Sequence, residues 1–372
     1  MRCFNVLLTA LWMIGATGVW AADDYVVLQV APAVSQAGSV AWQTQVGAKV
    51  YFDEVNNRGG VSGHPIKFVF VDQGPDISAQ VRELAKTKQP VALIGSIGSA
   101  PVAKLLADRV LDTLQLPLVG PRTGATSLIS DKSSNWVFFT RPSYAVEVGK
   151  VLRQFGTIGV KKVAILYSED ASGREILAQL KAAAAQGGLT VDAAIPQPRD
   201  AAKISAVATS LAGEDHQALL LAGDTAAAGA FLKRYREQNG AAQVVAMSSI
   251  EAVQMAQVAG PLLARGTAVV QVAPSPRNDA VAVVREFKNN YRKYGPYTEE
   301  PTQAMMEGYL AAKVLVEGLK RGNGGHSALA KGLAGMSNYD AGGVAFSFTQ
   351  GSRSGAHFLE LSVLDREGRV VR

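Results

Sequence analysis

The hydrophobic pattern of the chain alternates between short, continuously apolar runs and longer stretches with helical periodicity. The first apolar runs are YVVLQVA, IKFVFVD, VALIG and LPLVG. Between the first two, Ala48, Tyr51, Phe52 and Val55 recur at intervals of three and four, which predicts a helix that ends at Gly59-Gly60. Strands that are apolar throughout and alternate with helices are typical of a parallel sheet covered on both faces.

The same pattern restarts after residue 141. The apolar runs of this second part are KKVAILY, LTVDAAI, QALLLAG and VVAMSS, and helices are predicted through REILAQLKAAAAQ and AGAFLKRYREQNG. TAVVQVAPSP then predicts a return crossing, and it is followed by two long helices, over 280–295 and 302–322, and the strand HFLELSVLD. The sequence therefore predicts two α/β units, with the last third of the chain returning to the first unit.

The amino terminus has the features of a secretory signal peptide. Arg2 precedes a short apolar run that ends in small residues, so we expect residues 1–21 to be removed by a cut after Ala21 and the protein to be periplasmic. An uncleaved anchor is the alternative, which the shortness of the run disfavours. Cys3 is the only cysteine and precedes the apolar run, which excludes disulfides and cysteine-bound metals from the mature chain.

The formal charge of +6 is spread along the chain without a basic run, which makes nucleic acid a poor candidate partner. This charge modestly favours an anionic ligand or an anionic surface. Two turns rich in Gly and small polar residues, Gly95–Ser99 and Gly120–Gly124, follow the third and fourth predicted strands. Helix N-termini converge at this edge of a parallel sheet. Ser99 is predicted as the N-cap of its helix, where its hydroxyl either serves the cap alone or turns toward a ligand.

At these turns the chain resembles type I periplasmic solute-binding proteins of the leucine/isoleucine/valine-binding class, the receptors of ATP-driven importers. The motifs that carry the resemblance are GAKVYFDEVNNRGGVSGHPIKFVFVDQGPD, LIGSIGSAPVAKLL, LPLVGPRTGA, FFTRPSY, KKVAILYSEDASGRE, VVQVAPSP, MEGYLAAKVLVEGL and FSFTQGSRSGAHFLELSVLDREGRV. The resemblance implies an α/β fold of two Rossmann-like lobes joined by three hinge crossings. Lobe 1 would comprise 22–141 and 274–357, and lobe 2 would comprise 142–273 and 358–372.

The resemblance also implies which residues bind the ligand. Ser99, Thr123, Gly124 and Tyr144 are expected from lobe 1 and the first crossing. Ser172, Asp224 and Ser249 are expected from lobe 2. The ligand would be a small carboxylate, first of all an amino acid, delivered by a monomer to an inner-membrane ABC permease, with no cofactor.

The sequence departs from this pattern on the lobe 2 side. Ser172 stands where amino-acid-binding relatives often have an aromatic residue, and Asp224 stands where an aromatic residue can occur. The acidic residue that binds the ligand's ammonium group in those relatives has no clear match in this sequence. Asp224 or Glu251 would take that role. The alternative is that both are acids at helix starts, where the helix dipole favours a negative charge. Trp42, in the loop after the first strand, is either an apolar wall for the ligand or partly buried in lobe 1.

An enzyme and a signalling receptor are the alternatives to a transport receptor. An enzyme is disfavoured because GSIGSA lacks the lysine of a phosphate loop and no G-x-S-x-G elbow is present. The histidines, His64, His216, His326 and His357, do not have metal-ligand spacing. A receptor that reports ligand occupancy to a signalling partner stays open, since one sequence does not reveal docking surfaces.

Overall fold

The computed structural model describes residues 23–131, 133–322, 326–348 and 353–371. The predicted signal peptide, residues 1–21, lies outside this part of the chain. The first segment alternates strands and helices as the apolar pattern predicts. Its elements are β1 (Tyr25–Ala31), α1 (Val40–Asn57), β2 (Ile66–Asp72), α2 (Ile77–Lys88), β3 (Ala92–Ile94), α3 (Ser99–Ala107), α4 (Val110–Leu114), β4 (Leu118–Val119), α5 (Thr126–Ile129) and β5 (Val137–Phe138).

The second segment continues the alternation. Its elements are α6 (Tyr144–Thr157), β6 (Lys162–Tyr167), α7 (Ala171–Gly187), β7 (Thr190–Pro196), α8 (Ala201–Ala212), β8 (Ala218–Ala222), α9 (Thr225–Glu237), β9 (Gln243–Ala246), α10 (Ala252–Ala259), α11 (Pro261–Ala264) and β10 (Ala268–Gln271). The last part comprises α12 (Ala282–Tyr294), α13 (Gln303–Gly322), α14 (His326–Ala334), β11 (Tyr339–Asp340), β12 (Ala345–Phe346), β13 (Glu360–Leu364) and β14 (Val370–Val371).

Among the described residues the strands form two main sheets, one in each lobe. The lobe 1 sheet has the order β2-β1-β3-β4-β5 and is parallel throughout. The lobe 2 sheet has the order β14-β13-β10-β9-β8-β6-β7, in which only the pairs that involve β13 are antiparallel. A small sheet of β11 and β12 completes lobe 1. The predicted α/β fold with parallel sheets in two lobes is confirmed.

Strand alternation divides each lobe into two apolar layers. In lobe 1, Val27 and Ile94 face α1 and α13, while their neighbours Leu28 and Leu93 face α2 and α3. The strands of lobe 2 likewise pack against α6 and α7 on one face and against α8, α9 and α10 on the other. Because successive side chains of a strand point to opposite faces, continuously apolar strands require helices on both sides.

Three connections between described elements join the two lobes. The crossings lie between β5 and α6, between β10 and α12, and between β12 and β13. The predicted boundaries at 141, 273 and 357 fall inside these connections. One expectation needs correction: TAVVQVAPSP is not a crossing along its whole length, because Ala268–Gln271 forms β10 between β9 and β13 and the crossing starts only after it.

No helix in the described ranges has the length and apolar character needed to cross a bilayer.

Candidate functional site: a cleft between the two lobes

A cavity of about 440 Å³ lies between the lobes, at the edge of the sheets where the parallel strands end. Both lobes and the first crossing contribute to its wall. Five of the seven residues predicted to bind the ligand line it, namely Ser99, Tyr144, Ser172, Asp224 and Ser249. The other two, Thr123 and Gly124, lie behind this wall.

The turn after β3 places Ser99 at the start of α3. Ser99 is the first residue of the helix and Gly98 occupies the N-cap position, without a side-chain cap hydrogen bond. The predicted N-cap role of Ser99 is therefore wrong. Gly98 has φ of +85°, a conformation that L side chains rarely adopt, so this position turns the chain and Ser99 enters the helix. The Ser99 hydroxyl therefore does not cap α3, and its contacts are with other groups.

Three hydroxyl groups meet at this point from two lobes. Ser99 Oγ lies 2.6 Å from Thr123 Oγ1, and Ser172 Oγ donates to Ser99 Oγ at 2.7 Å. Thr123 is fully buried and also accepts from the N–H of Ala125. Ser172 belongs to α7 of lobe 2, so Ser99 connects the two lobes directly.

Gly124 supports Tyr144. A Cβ at Gly124 would lie 2.9 Å from Cδ1 of the Tyr144 ring, closer than packed atoms allow. The carbonyl of Gly124 accepts from the N–H of Tyr144. Tyr144 is buried at the first position of α6, where burial raises the pKa of its hydroxyl. Gly124 thus positions a wall of the cavity from behind.

Lobe 2 contributes the start of α9 and the turn after β9. Asp224 is the N-cap of α9, accepts from the N–H of Ala227 at 2.9 Å, and is exposed at the cavity mouth. Of the two roles considered for Asp224, an ammonium partner or a helix-start acid, the structure shows the helix-start acid. The Ser249 hydroxyl is buried without a hydrogen-bond partner among the described residues, and its residue lines the cavity.

Next to this cavity lies a cluster of buried charges that crosses between the lobes. Arg122, from the turn after β4, pairs through Nη2 with Glu251 of lobe 2. The same nitrogen lies 3.3 Å from Oε1 of Glu307 on α13. Glu251 stands at the N-cap position of α10 but makes no side-chain cap hydrogen bond, and its Oε1 pairs with Arg122 instead.

Arg141, in the first crossing, extends the cluster. Its guanidinium donates to the Ser248 hydroxyl and lies 3.6 Å from Oε2 of Glu307. Ser248 in turn donates to Oε1 of Glu147 at 2.7 Å. Residues from both lobes and from the crossing are thereby held together in the closed cleft.

Burial sets the electrostatics of this cluster. Burial raises the pKa of the Glu147 and Glu251 carboxyls, although Arg141 and Arg122 respectively oppose that effect. Burial alone would lower the pKa of Arg122, but Glu251 and Glu307 outweigh it and hold that pKa above its usual value. Arg122 therefore remains a cation at every physiological pH.

A second cavity of about 290 Å³ lies on the other side of this cluster, and Arg122 lines both cavities. The Arg122–Glu251 pair thus divides the cleft into two compartments. Sequence reasoning missed the pair because an arginine in a turn and a glutamate at a helix start both resemble surface residues. The one available signal was the position of Arg122 next to Thr123-Gly124.

Trp42 does not line the ligand-side cavity. It lies in α1 rather than in the preceding loop, and it packs partly buried against the lobe 1 core. His216 is held by Asp192 and Glu214. Within the described residues no group of His, Cys, Asp and Glu is arranged to hold a metal ion.

The comparison with known proteins agrees with the two-lobed cleft. The family model described as "Periplasmic binding protein" matches residues 29–364. The chain belongs to this periplasmic binding protein family. Proteins of the family are substrate-binding receptors of type I fold and are periplasmic. No curated protein matches the sequence.

Solved structures of other ligand-binding and substrate-binding proteins share this fold over nearly the whole chain. A substrate-binding periplasmic protein from Ralstonia solanacearum is 33% identical, with a TM-score of 0.86 over 94% of this chain and 99% of that one. An extracellular ligand-binding receptor from Verminephrobacter eiseniae is 27% identical, with a TM-score of 0.86 over 94% and 100%. LivJ from Streptococcus pneumoniae, solved with isoleucine, shares the fold at 17% identity and a TM-score of 0.79, over 93% and 97% of the two chains.

Proposed function

We propose that this periplasmic binding protein is the solute receptor of an ABC importer and that it encloses a small carboxylate-bearing ligand between its lobes. The observation that carries the proposal is the cavity of about 440 Å³ lined from both lobes by Ser99, Ser172 and Arg122. Hydroxyls, guanidinium groups and helix N-termini are the groups that proteins use for carboxylates. Proteins of this fold were solved with isoleucine and with valine, so amino acids belong among the candidate carboxylates.

The mechanism that we propose is lobe closure. A ligand that touches both lobes stabilises the closed form by the contacts that it makes only there. The permease would then recognise the outer surface of the closed monomer in the periplasm. Binding without conversion is the expected chemistry, and catalytic turnover of the ligand is not.

A thermal-shift screen of the chain from Ala22 onward tests this proposal. Because a ligand bound only by the folded state raises the melting temperature, we expect at least one amino acid or small organic acid in a broad panel to do so. Mass spectrometry of the recovered ligand should find it unaltered, and small-angle scattering should find a more compact protein with ligand. A panel without any shift, or a chemically converted ligand, would contradict a carboxylate receptor.

A further inference from the structure

Arg122 has hydrogen-bond donors that its acidic partners do not use. Its contacts with Glu251 and Glu307 are both made by Nη2. Its Nε is buried and has no hydrogen-bond partner among the described residues. The residue is only 9% exposed, and its side chain lines the cavity of about 440 Å³. A buried guanidinium with free N–H groups favours an additional anionic acceptor.

Arg141 repeats this arrangement beside it. It is 2% exposed, lines the same cavity, and its Nε has no partner among the described residues. Arginine remains protonated in proteins, and its planar group matches the geometry of a carboxylate. Two buried cations therefore face the ligand space from lobe 1 and the first crossing.

Helix ends add further positive potential. The first residues of α3 and of α7 line the cavity, and so does the N-cap of α9. These helices have 9, 17 and 13 residues. The N-terminus of a helix carries a partial positive charge and free N–H groups. Together with the arginines, these helix ends favour a negative ligand over a zwitterion.

The carboxylates at the cavity are poor partners for an ammonium group. Asp170 accepts from Gly173 N–H and Ser168 Oγ, so it caps α7, and Asp224 caps α9. Both are exposed at the mouth, where water weakens an ion pair. Glu251 and Glu147 are buried but do not line this cavity, and they contact Arg122 and Ser248. An ammonium group that left water for this cavity would lose hydration without a buried anion to replace it.

Building on the proposed function, we propose that the cleft selects small organic acids without an ammonium group, and that Arg122 is the residue that sets this preference. The ligand carboxylate binds the part of the Arg122 guanidinium that lines the cavity, while Glu251 holds the guanidinium from the other side. The ligands of this class are 2-oxo acids and dicarboxylates.

Matched ligand pairs test this preference by titration calorimetry on the chain from Ala22 onward. Leucine and 4-methyl-2-oxopentanoate share their carbon skeleton and differ only in an ammonium or an oxo group; glutamate and glutarate differ only in the ammonium group. We expect the ammonium-free member to bind at least about tenfold more tightly in one pair or both, the effect of one poorly solvated charge.

Variants at Arg122 test its role. Arg122→Lys keeps the cation but has fewer donors, and we expect it to bind the organic acid about tenfold more weakly. The double variant Arg122→Gln/Glu251→Gln removes both charges of the buried pair and leaves Glu307 with Arg141 as its partner. It should bring the two members of a ligand pair toward equal affinity. Arg174→Lys makes the same change at an exposed arginine outside the cavity and is the matched control for Arg122→Lys. The melting temperature of each variant reports whether it is folded. If a variant does not fold, the ligand pairs measured on the wild-type protein still decide the preference.

The outcomes separate this inference from the receptor proposal. Equal or tighter binding of the amino-acid members would overturn the preference and leave the receptor proposal intact. The same holds for a preference that persists unchanged in the folded double variant, or for a broad panel in which only amino acids bind. A panel in which no carboxylate of either class binds would overturn both.

Discussion

At the scale of single residues, the cleft depends on side chains that have partners in the other lobe. Ser99 Oγ contacts Thr123 in its own lobe and Ser172 across the cleft, so one hydroxyl contributes to a local turn and to lobe contact at once. The neighbouring Ser96 is also buried, yet its hydroxyl has no partner among the described residues and its residue does not line the cavity. Ser96 is therefore a suitable control position for a substitution at Ser99.

Ser99→Ala should weaken ligand binding by about 1–3 kcal/mol, because it removes a polar contact and leaves a buried hydroxyl without its partner. Ser96→Ala is the matched control and should leave affinity nearly unchanged. Calorimetry with a ligand from the screen measures both, and circular dichroism checks the fold. Equal affinities in the two variants would remove Ser99 from the site.

The resemblance in sequence placed the polar residues of the cleft better than its charges. Ser99, Tyr144, Ser172, Asp224 and Ser249 follow predicted strands or begin predicted helices, and strand ends meet at one edge of a parallel sheet. The pairing of Arg122 with Glu251 was not predictable in this way, because the two residues are 129 positions apart and no local pattern relates them.

At the scale of elements, the close crossing of α1 and α13 holds lobe 1 together. A Cβ at Gly47 would overlap the carbonyl oxygen of Met305, and one at Gly308 would overlap that of Thr44. The two helix backbones therefore touch where glycine leaves room. Since Gly47 and Gly308 come from opposite ends of the chain, this contact joins the last third of the sequence to the first unit.

Gly47→Ala should lower the free energy of unfolding by about 1–3 kcal/mol, because the helices must move apart to admit one methyl group. Gly149→Ala, in the middle of α6, is the control. Its Cβ would make only an ordinary contact with Arg153, and the change should be neutral or stabilise the helix by up to about 1 kcal/mol. Urea unfolding measures the two changes, and similar stabilities would contradict the close packing.

At the scale of the whole molecule, the lobes contact each other outside the cavity as well. Glu175 on α7 accepts from the N–H of Thr126 and from the hydroxyl of Ser127 at the start of α5. Gln254 on α10 donates to the carbonyl of Gly38 at 3.2 Å. These contacts exist only while the lobes are together, so they stabilise the closed form, and none of their residues lines the cavity of about 440 Å³.

Glu175→Ala should therefore weaken ligand binding about fivefold, or about 1 kcal/mol, by shifting the free protein toward the open form. Glu169→Ala removes an exposed carboxylate of the same region that makes no such contact, and should change affinity little. Calorimetry measures the affinities, and small-angle scattering of the ligand-free variant should find a larger radius of gyration. An unchanged affinity would mean that this contact does not contribute to closure.

The sequence by itself determined the alternation of strands and helices, the restart of that pattern in a second unit, and the polar turns at the strand ends. These features follow from side-chain periodicity and turn chemistry, which act over a few residues. It did not determine the N-cap of α3, where Gly98 rather than Ser99 turns the chain, or the strand within TAVVQVAPSP.

Only the tertiary structure decided which charges are buried and what they contact. Arg122, Arg141, Glu251 and Glu307 belong to different elements of both lobes and the crossing, and they meet because two sheets and α13 bring them to one edge. The free energy of a charge depends on burial and partners, which no short stretch of sequence contains. For this reason the fold could be predicted from the chain alone, whereas the electrostatic character of its cleft could not.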